Sequence, residues 1–189
     1  VRNLGHHISL NSEARLDILW WREYLPSWNG RYTILDSHTT PCPDLNIFTD
    51  AAGDLGLGIF NNGQWVSLPW PETLREKSIQ WKELFPVYLC CRLWAPDFRG
   101  KRLLFHCDNL TVVNIWSAQS SKCNDLMALL RKLFFISARF EFTVNVKHIA
   151  GVNNVLADGL SRFQINKFFQ LMPTANATPF AVPDNIWNI

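Results

Sequence analysis

The stretch that most constrains this chain is Asn46-Ile-Phe-Thr-Asp-Ala-Ala-Gly-Asp-Leu-Gly-Leu-Gly-Ile-Phe60. It reads as an apolar strand ending in one carboxylate, Asp50, followed by a tight Gly/Asp turn and a second strand. A carboxylate at the end of a buried strand is costly to desolvate without a partner. Three more acids stand in similarly apolar settings: Glu83 in Trp-Lys-Glu-Leu-Phe, Asp108 in Leu-Phe-His-Cys-Asp, and Asp158 in Val-Leu-Ala-Asp-Gly-Leu-Ser-Arg. Their order of element types is strand, helix, strand, helix.

The surrounding pattern assigns those elements. Strands are expected over Leu45–Ala51, Leu57–Phe60 and Trp65–Pro69, joined by turns at Gly53-Asp54 and Asn61-Asn62-Gly63 that are short enough to force antiparallel hairpins. A helix is expected from about Ser78 to Trp94, bent by Pro86 one turn past Glu83. Strand Arg102–Cys107, helix Asn109–Trp116, a polar loop Ser117–Asn124, helix Asp125–Phe140, strand Glu141–Ile149 and helix Asn153–Phe163 complete the series. The fold class is therefore α/β: a mixed sheet of three antiparallel strands then two parallel ones, flanked by helices. Reactive groups in such sheets gather beyond the carboxyl ends of the parallel strands.

Composition narrows the setting. Of 189 residues, 48% are hydrophobic and nine are Trp, which describes a packed domain and not a disordered tail. Net charge is +2, compatible with a polyanionic partner without requiring one. Five cysteines include no Cys-x-x-Cys pair, so buried thiols in a reducing, intracellular compartment are expected and a zinc site is not. No membrane span and no signal peptide is legible. Because the chain opens on Val1, it reads as a piece of a longer polypeptide.

Three segments follow from this pass. Residues 1–40 form an N-terminal helical segment, capped by Asn11 or Ser12, with Ala14, Ile18, Trp21 and Leu25 on one face, ended by Pro26 and Asn29-Gly30. His6-His7 lacks a third metal ligand nearby, and Thr39-Thr-Pro-Cys-Pro43 reads as a linker. Residues 41–164 form the main domain, and 165–189 a Pro-containing linker tail.

Four carboxylates in one site suit two divalent ions and in-line displacement at a phosphodiester. Each acid alone has a plainer reading: a turn residue at Asp50, a solvated Glu83, a helix cap at Asp108, an ion pair of Asp158 with Arg162. Four such coincidences in this order are less economical than one site. Proofreading exonucleases place Glu two residues after the first Asp, where this chain has Ala52, and integrase-type enzymes close their set with Glu, where it has Asp158.

The chain resembles the ribonuclease H domain of reverse-transcribing elements over roughly Leu45 to Phe163. Phe48-Thr-Asp-Ala-Ala is similar to the family's first-strand motif, Lys82-Glu-Leu to its helix motif, and His106-Cys-Asp-Asn to its fourth-strand motif. The most specific match is His148-Ile-Ala-Gly-Val-Asn-Asn-Val-Leu-Ala-Asp-Gly-Leu-Ser-Arg162. The resemblance implies an endoribonuclease of RNA–DNA hybrids, with Asp50, Glu83, Asp108 and Asp158 holding two Mg²⁺ ions that Mn²⁺ can replace. It further implies His148 as the loop histidine for proton transfer or product release, and Gln80, Asn109 and Asn154 as positions touching the hybrid. Two features depart from the family: Asn109 stands where a Ser or His is frequent, and the Ser117–Asn124 loop is too short for a basic protrusion. The latter points to reliance on a neighbouring polymerase domain, with a weak or inactive module that supports a polymerase or binds nucleic acid as the alternative. The helix Ser12-Glu-Ala-Arg-Leu-Asp-Ile-Leu-Trp-Trp-Arg-Glu-Tyr-Leu25 and the Pro-containing tail resemble flanks in tyrosine-recombinase retrotransposons of the DIRS and Ngaro kind. That implies an upstream reverse transcriptase and a downstream recombinase in one polyprotein, acting in the cytoplasm or nucleus.

Overall fold

Alternation of apolar residues sets the sheet, and turn chemistry sets its first three strands. In a computed structural model of the chain, which describes residues 5, 7–28 and 43–187, the strands are β1 (Leu45–Ala52), β2 (Gly56–Asn61), β3 (Gln64–Pro69), β4 (Arg102–Cys107) and β5 (Thr143–His148). His6, Cys42, the Asn29-Gly30 turn and most of the Thr39–Pro43 linker lie outside the described residues. The β2–β3 hairpin turns on Asn62 and Gly63, both at positive φ, the geometry that two-residue hairpin loops require. Strand order is β3-β2-β1-β4-β5. The β1–β2 and β2–β3 pairs are antiparallel, and β1–β4 and β4–β5 parallel, as the sequence pattern predicts.

Helices α2 (Ile79–Leu93), α3 (Leu110–Ala118) and α4 (Asn124–Phe140) build the larger core, and α5 (Val155–Ser161) and α6 (Ile165–Leu171) a second, smaller one. The alternation along β1 serves both: Ile47 and Ala51 belong to the larger core, while Phe48 packs with the smaller. Helix α2 is the spine of the domain. It is capped by Ser78, whose hydroxyl accepts from the Trp81 N–H at 3.3 Å, and it runs unbroken through Pro86. Every residue from Trp81 to Cys91 is buried, so the helix has no solvent face along that span. Trp65, Trp70 and Trp81 are core residues.

Beyond α6 the Pro-containing stretch, expected as a linker, packs on this domain. The Asn176 and Phe180 N–H groups donate to the carbonyls of Gly63, in the β2–β3 turn, and Trp65, on β3, each at 2.8 Å. Phe180 packs on Trp94, and Trp187 stacks on Phe85 with ring centroids 5.5 Å apart.

The chain divides into two compact units, residues 1–34 and residues 35–189. In the first unit, α1 (Ser12–Tyr24) is capped by Asn11, whose Oδ1 accepts from the Ala14 N–H at 2.8 Å. Within α1, Trp20 stacks on Tyr24. Among the described residues, no helix is long and apolar enough to cross a membrane.

Candidate functional site

Strand β1 carries Asp50 to the point where β1 and β4 part, and Asp50 sits opposite Gly58 of β2. Gly58 decides what happens next. A Cβ there would stand 2.3 Å from the Ala157 carbonyl oxygen and 2.6 Å from the Ser161 nitrogen, so the α5 backbone rests directly on β2. That close approach delivers Asp158 and Ser161 to Asp50. The Ser161 hydroxyl donates to Asp50 Oδ2 and also lies 3.0 Å from the Asp158 carbonyl oxygen. Ser67 ties the same helix to β3, donating to the Leu160 carbonyl at 2.6 Å.

Glu83 enters from α2 and Asp108 from the residue after β4. One ligand atom each from Glu83, Cys107 and Asp108 lies within 4.8 Å of the others. The two sides of the cluster also feel each other. Burial pushes the Asp50 carboxyl up to about 6, with Asp108 and Asp158 adding to the shift and the Ser161 hydrogen bond opposing it. Burial pushes Glu83 up to about 9, reinforced by Asp50 and Asp108. The Cys107 thiol is driven upward by burial and by Glu83. All four sequence-predicted acids are thus brought into one electrostatic cluster at the carboxyl ends of β1 and β4.

The donor set fits a hard divalent cation. Carboxylate oxygens are the ligands such ions take, and both the burial that chiefly raises Asp50 and Glu83 and the repulsion that adds to it are what a bound cation would offset. Arg162 is the nearby side-chain cation, its Nε 2.5 Å from Asp158 Oδ1.

The remaining predicted residues divide. His148 ends β5 in register with Cys107, and is exposed. The loop behind it passes Asp108, since a Cβ on Gly151 would stand 3.3 Å from Asp108 Oδ2. Gln80 is half-buried in the first turn of α2. Asn109 caps α3, its Oδ1 accepting from the Thr111 and Val112 N–H groups at 3.0 and 3.3 Å. Asn154 is 1% exposed, and its amide donates to the Thr49 carbonyl at 3.0 Å. It therefore packs beneath β1 and presents no surface to a hybrid; spacing from Asp158 carried no information on burial.

Sequence reasoning singled out neither Ser161 nor Cys107. Ser161 had a signal, since it follows Asp158 by one helical turn and so shares its face; Cys107 had none, because strand alternation would turn it away from a neighbouring residue.

Comparison with known proteins bears on the fold. No family model matches the chain, and no curated protein matches it in sequence. Among solved structures it is similar to LC11-RNase H1, isolated from compost by a metagenomic approach, with a TM-score of 0.52 and 17% identity over 65% of this chain and 96% of that one. RNase H1 of the halophilic archaeon Halobacterium salinarum gives a TM-score of 0.47 and 12% identity over 65% of this chain and 97% of that one. The protease–reverse transcriptase of prototype foamy virus gives 0.48 and 15%, over 69% of this chain and 22% of that one. At these identities the likeness is one of fold, and it rests on the first of the three. The mixed five-stranded sheet with its flanking helices is a ribonuclease H fold.

Proposed function

We propose that the chain is a metal-dependent endoribonuclease that cuts the RNA strand of RNA–DNA hybrids during reverse transcription. The observation that carries this reading is the convergence of Asp50, Glu83, Asp108 and Asp158, from four separate elements, at one end of a ribonuclease H fold. We assign these four carboxylates to hold two Mg²⁺ ions, with Mn²⁺ able to replace them. Such ions, when bound, activate water and offset charge developing at the scissile phosphate.

The protein's own groups do the rest. Asp50 and Asp108, at adjacent strand ends, fix the centre of the site, and Glu83 and Asp158 flank it. To His148, exposed at the end of β5, we assign proton transfer or product release, with cleavage leaving 3′-hydroxyl and 5′-phosphate ends. Gln80 and Asn109 can donate to a phosphate or to the ribose 2′-hydroxyl that marks RNA.

The flanks extend the proposal. Their resemblance supports residues 1–40 as a connection from an upstream reverse transcriptase, 41–164 as the ribonuclease H-like domain, and 165–189 as the lead toward a recombinase of a DIRS- or Ngaro-like polyprotein. Such a protein would act in the cytoplasm or nucleus, where reverse transcription takes place. One observation favours a second reading, a catalytically weak module supporting a polymerase: only residues 119–123 join α3 to α4, and Lys122 is the one cation among them.

The test is cleavage of a labelled RNA–DNA hybrid with Mg²⁺ or Mn²⁺, beside single-stranded RNA and duplex DNA. Hybrid-only cutting that requires metal and vanishes in Asp50→Asn is the expected result. Cutting by Asp50→Asn at the parental rate overturns the site, and a folded protein inert on hybrids favours the supporting module.

A further inference from the structure

We propose that Ser161 is a positioning residue for Asp50, holding its carboxylate in the orientation that binds a divalent ion. The inference deepens the reading above and rests on it for the identity of the site.

Asp50 is joined to α5 by the Ser161 hydrogen bond, and its carboxylate turns about a broad terminal torsion. Something must fix that torsion if the group is to meet an ion in one geometry. Ser161 is fully buried, and its hydroxyl donates to Asp50 Oδ2. The hydroxyl has one proton and two acceptors in reach, Asp50 Oδ2 and the Asp158 carbonyl 3.0 Å away. A serine inside a helix ordinarily bonds back to a carbonyl of the preceding turn. Here the carboxylate is the stronger acceptor, because a hydrogen bond to an ionised oxygen outweighs one to a neutral carbonyl. The proton therefore goes across the interface to β1, and the helical carbonyl is the lesser partner.

The donor is itself anchored. The Ser161 backbone nitrogen lies where a Cβ on Gly58 would come within 2.6 Å, so α5 is seated against β2 at this residue. Asn154, at the start of the same helix, donates to the Thr49 carbonyl, so residues 154 and 161 grip consecutive residues of β1. A supporting hydrogen bond to a metal-ligating carboxylate typically governs 10–100-fold in affinity or activity.

The experiment is calorimetric titration of the full chain with Mn²⁺, for the parent, Ser161→Ala and Ser161→Thr, with melting temperatures recorded alongside and hybrid cleavage measured at saturating substrate. Ser161→Ala is expected to weaken Mn²⁺ binding by about 10-fold or more and to lower kcat with KM for the hybrid unchanged, while Ser161→Thr restores both. Parental Mn²⁺ affinity in a folded Ser161→Ala overturns the proposal, leaving the serine a packing residue. A parent that binds no Mn²⁺ overturns it as well. A parent that binds Mn²⁺ but leaves hybrids intact sinks the ribonuclease reading alone, and the titrations of the two variants then decide the role of Ser161.

Discussion

Asp50 and Glu83 are destabilising residues kept in place. In the folded chain burial raises Asp50 from 3.8 to about 6 and Glu83 from 4.5 to about 9. The folded state therefore holds these protons more tightly than the unfolded state does. Stability from the two groups is fully present below the unfolded values. It is lost from Asp50 as pH climbs to about 6, and from Glu83 as pH climbs toward about 9. In chelator, thermal melts should thus show a higher midpoint at pH 5 than at pH 8, and added Mg²⁺ should raise the midpoint at pH 8 more than at pH 5. Asp50→Asn removes one charge from the cluster, and a shift of this size corresponds to about 3 kcal/mol. That variant should abolish hybrid cleavage and, in chelator at pH 8, unfold in urea with a stability higher by on the order of 2 kcal/mol. The acids were legible as residues because each sits in an apolar run where a charge needs a reason. Their partners were less so: nothing in the one-dimensional pattern says that the Ser161 hydroxyl turns toward Asp50, or that the Asn154 amide turns inward to Thr49 and away from solvent.

At the scale of elements, local signals carried the fold. The Asn62-Gly63 turn, the start of α2 at about Ser78 and the strand Arg102–Cys107 lie where the sequence pattern puts them. The helix expected over Asn153–Phe163 is shorter, Val155–Ser161, and follows a 3₁₀ turn at Gly151–Asn153. Helix α6 had no forecast at all. Ile165 and Phe168 give one turn of apolar spacing, too little periodicity to separate a seven-residue helix from a loop. What docks α5 is also invisible to periodicity, because it is the missing side chain of Gly58. Gly58→Ala should cost about 1–3 kcal/mol or more in urea unfolding, since the obstructing atoms are helix backbone that cannot rotate aside. The same variant should lose cleavage out of proportion to its stability, because lifting α5 moves Asp158 and Ser161 together. A Gly58→Ala protein with parental stability and activity would refute the account of how α5 is seated.

For the whole molecule, the tail matters more than its composition suggests. Pro173, Pro179 and Pro183 interrupt any regular pattern, and the contacts come from widely spaced anchors, Phe180, Ile186 and Trp187. Trp187 lies on Phe85, two residues from Glu83 on α2, so the tail braces the helix that supplies one of the acids. A chain ended after Met172 should lose several kcal/mol of stability, about 2 for each apolar side chain withdrawn, read as a lower urea midpoint. The tail also occupies the carbonyls of Gly63, in the turn before β3, and Trp65, on β3, which would otherwise line the outer margin of the sheet. A protease that clipped this stretch would leave an open strand, able to pair with the same strand of another molecule and to seed self-association.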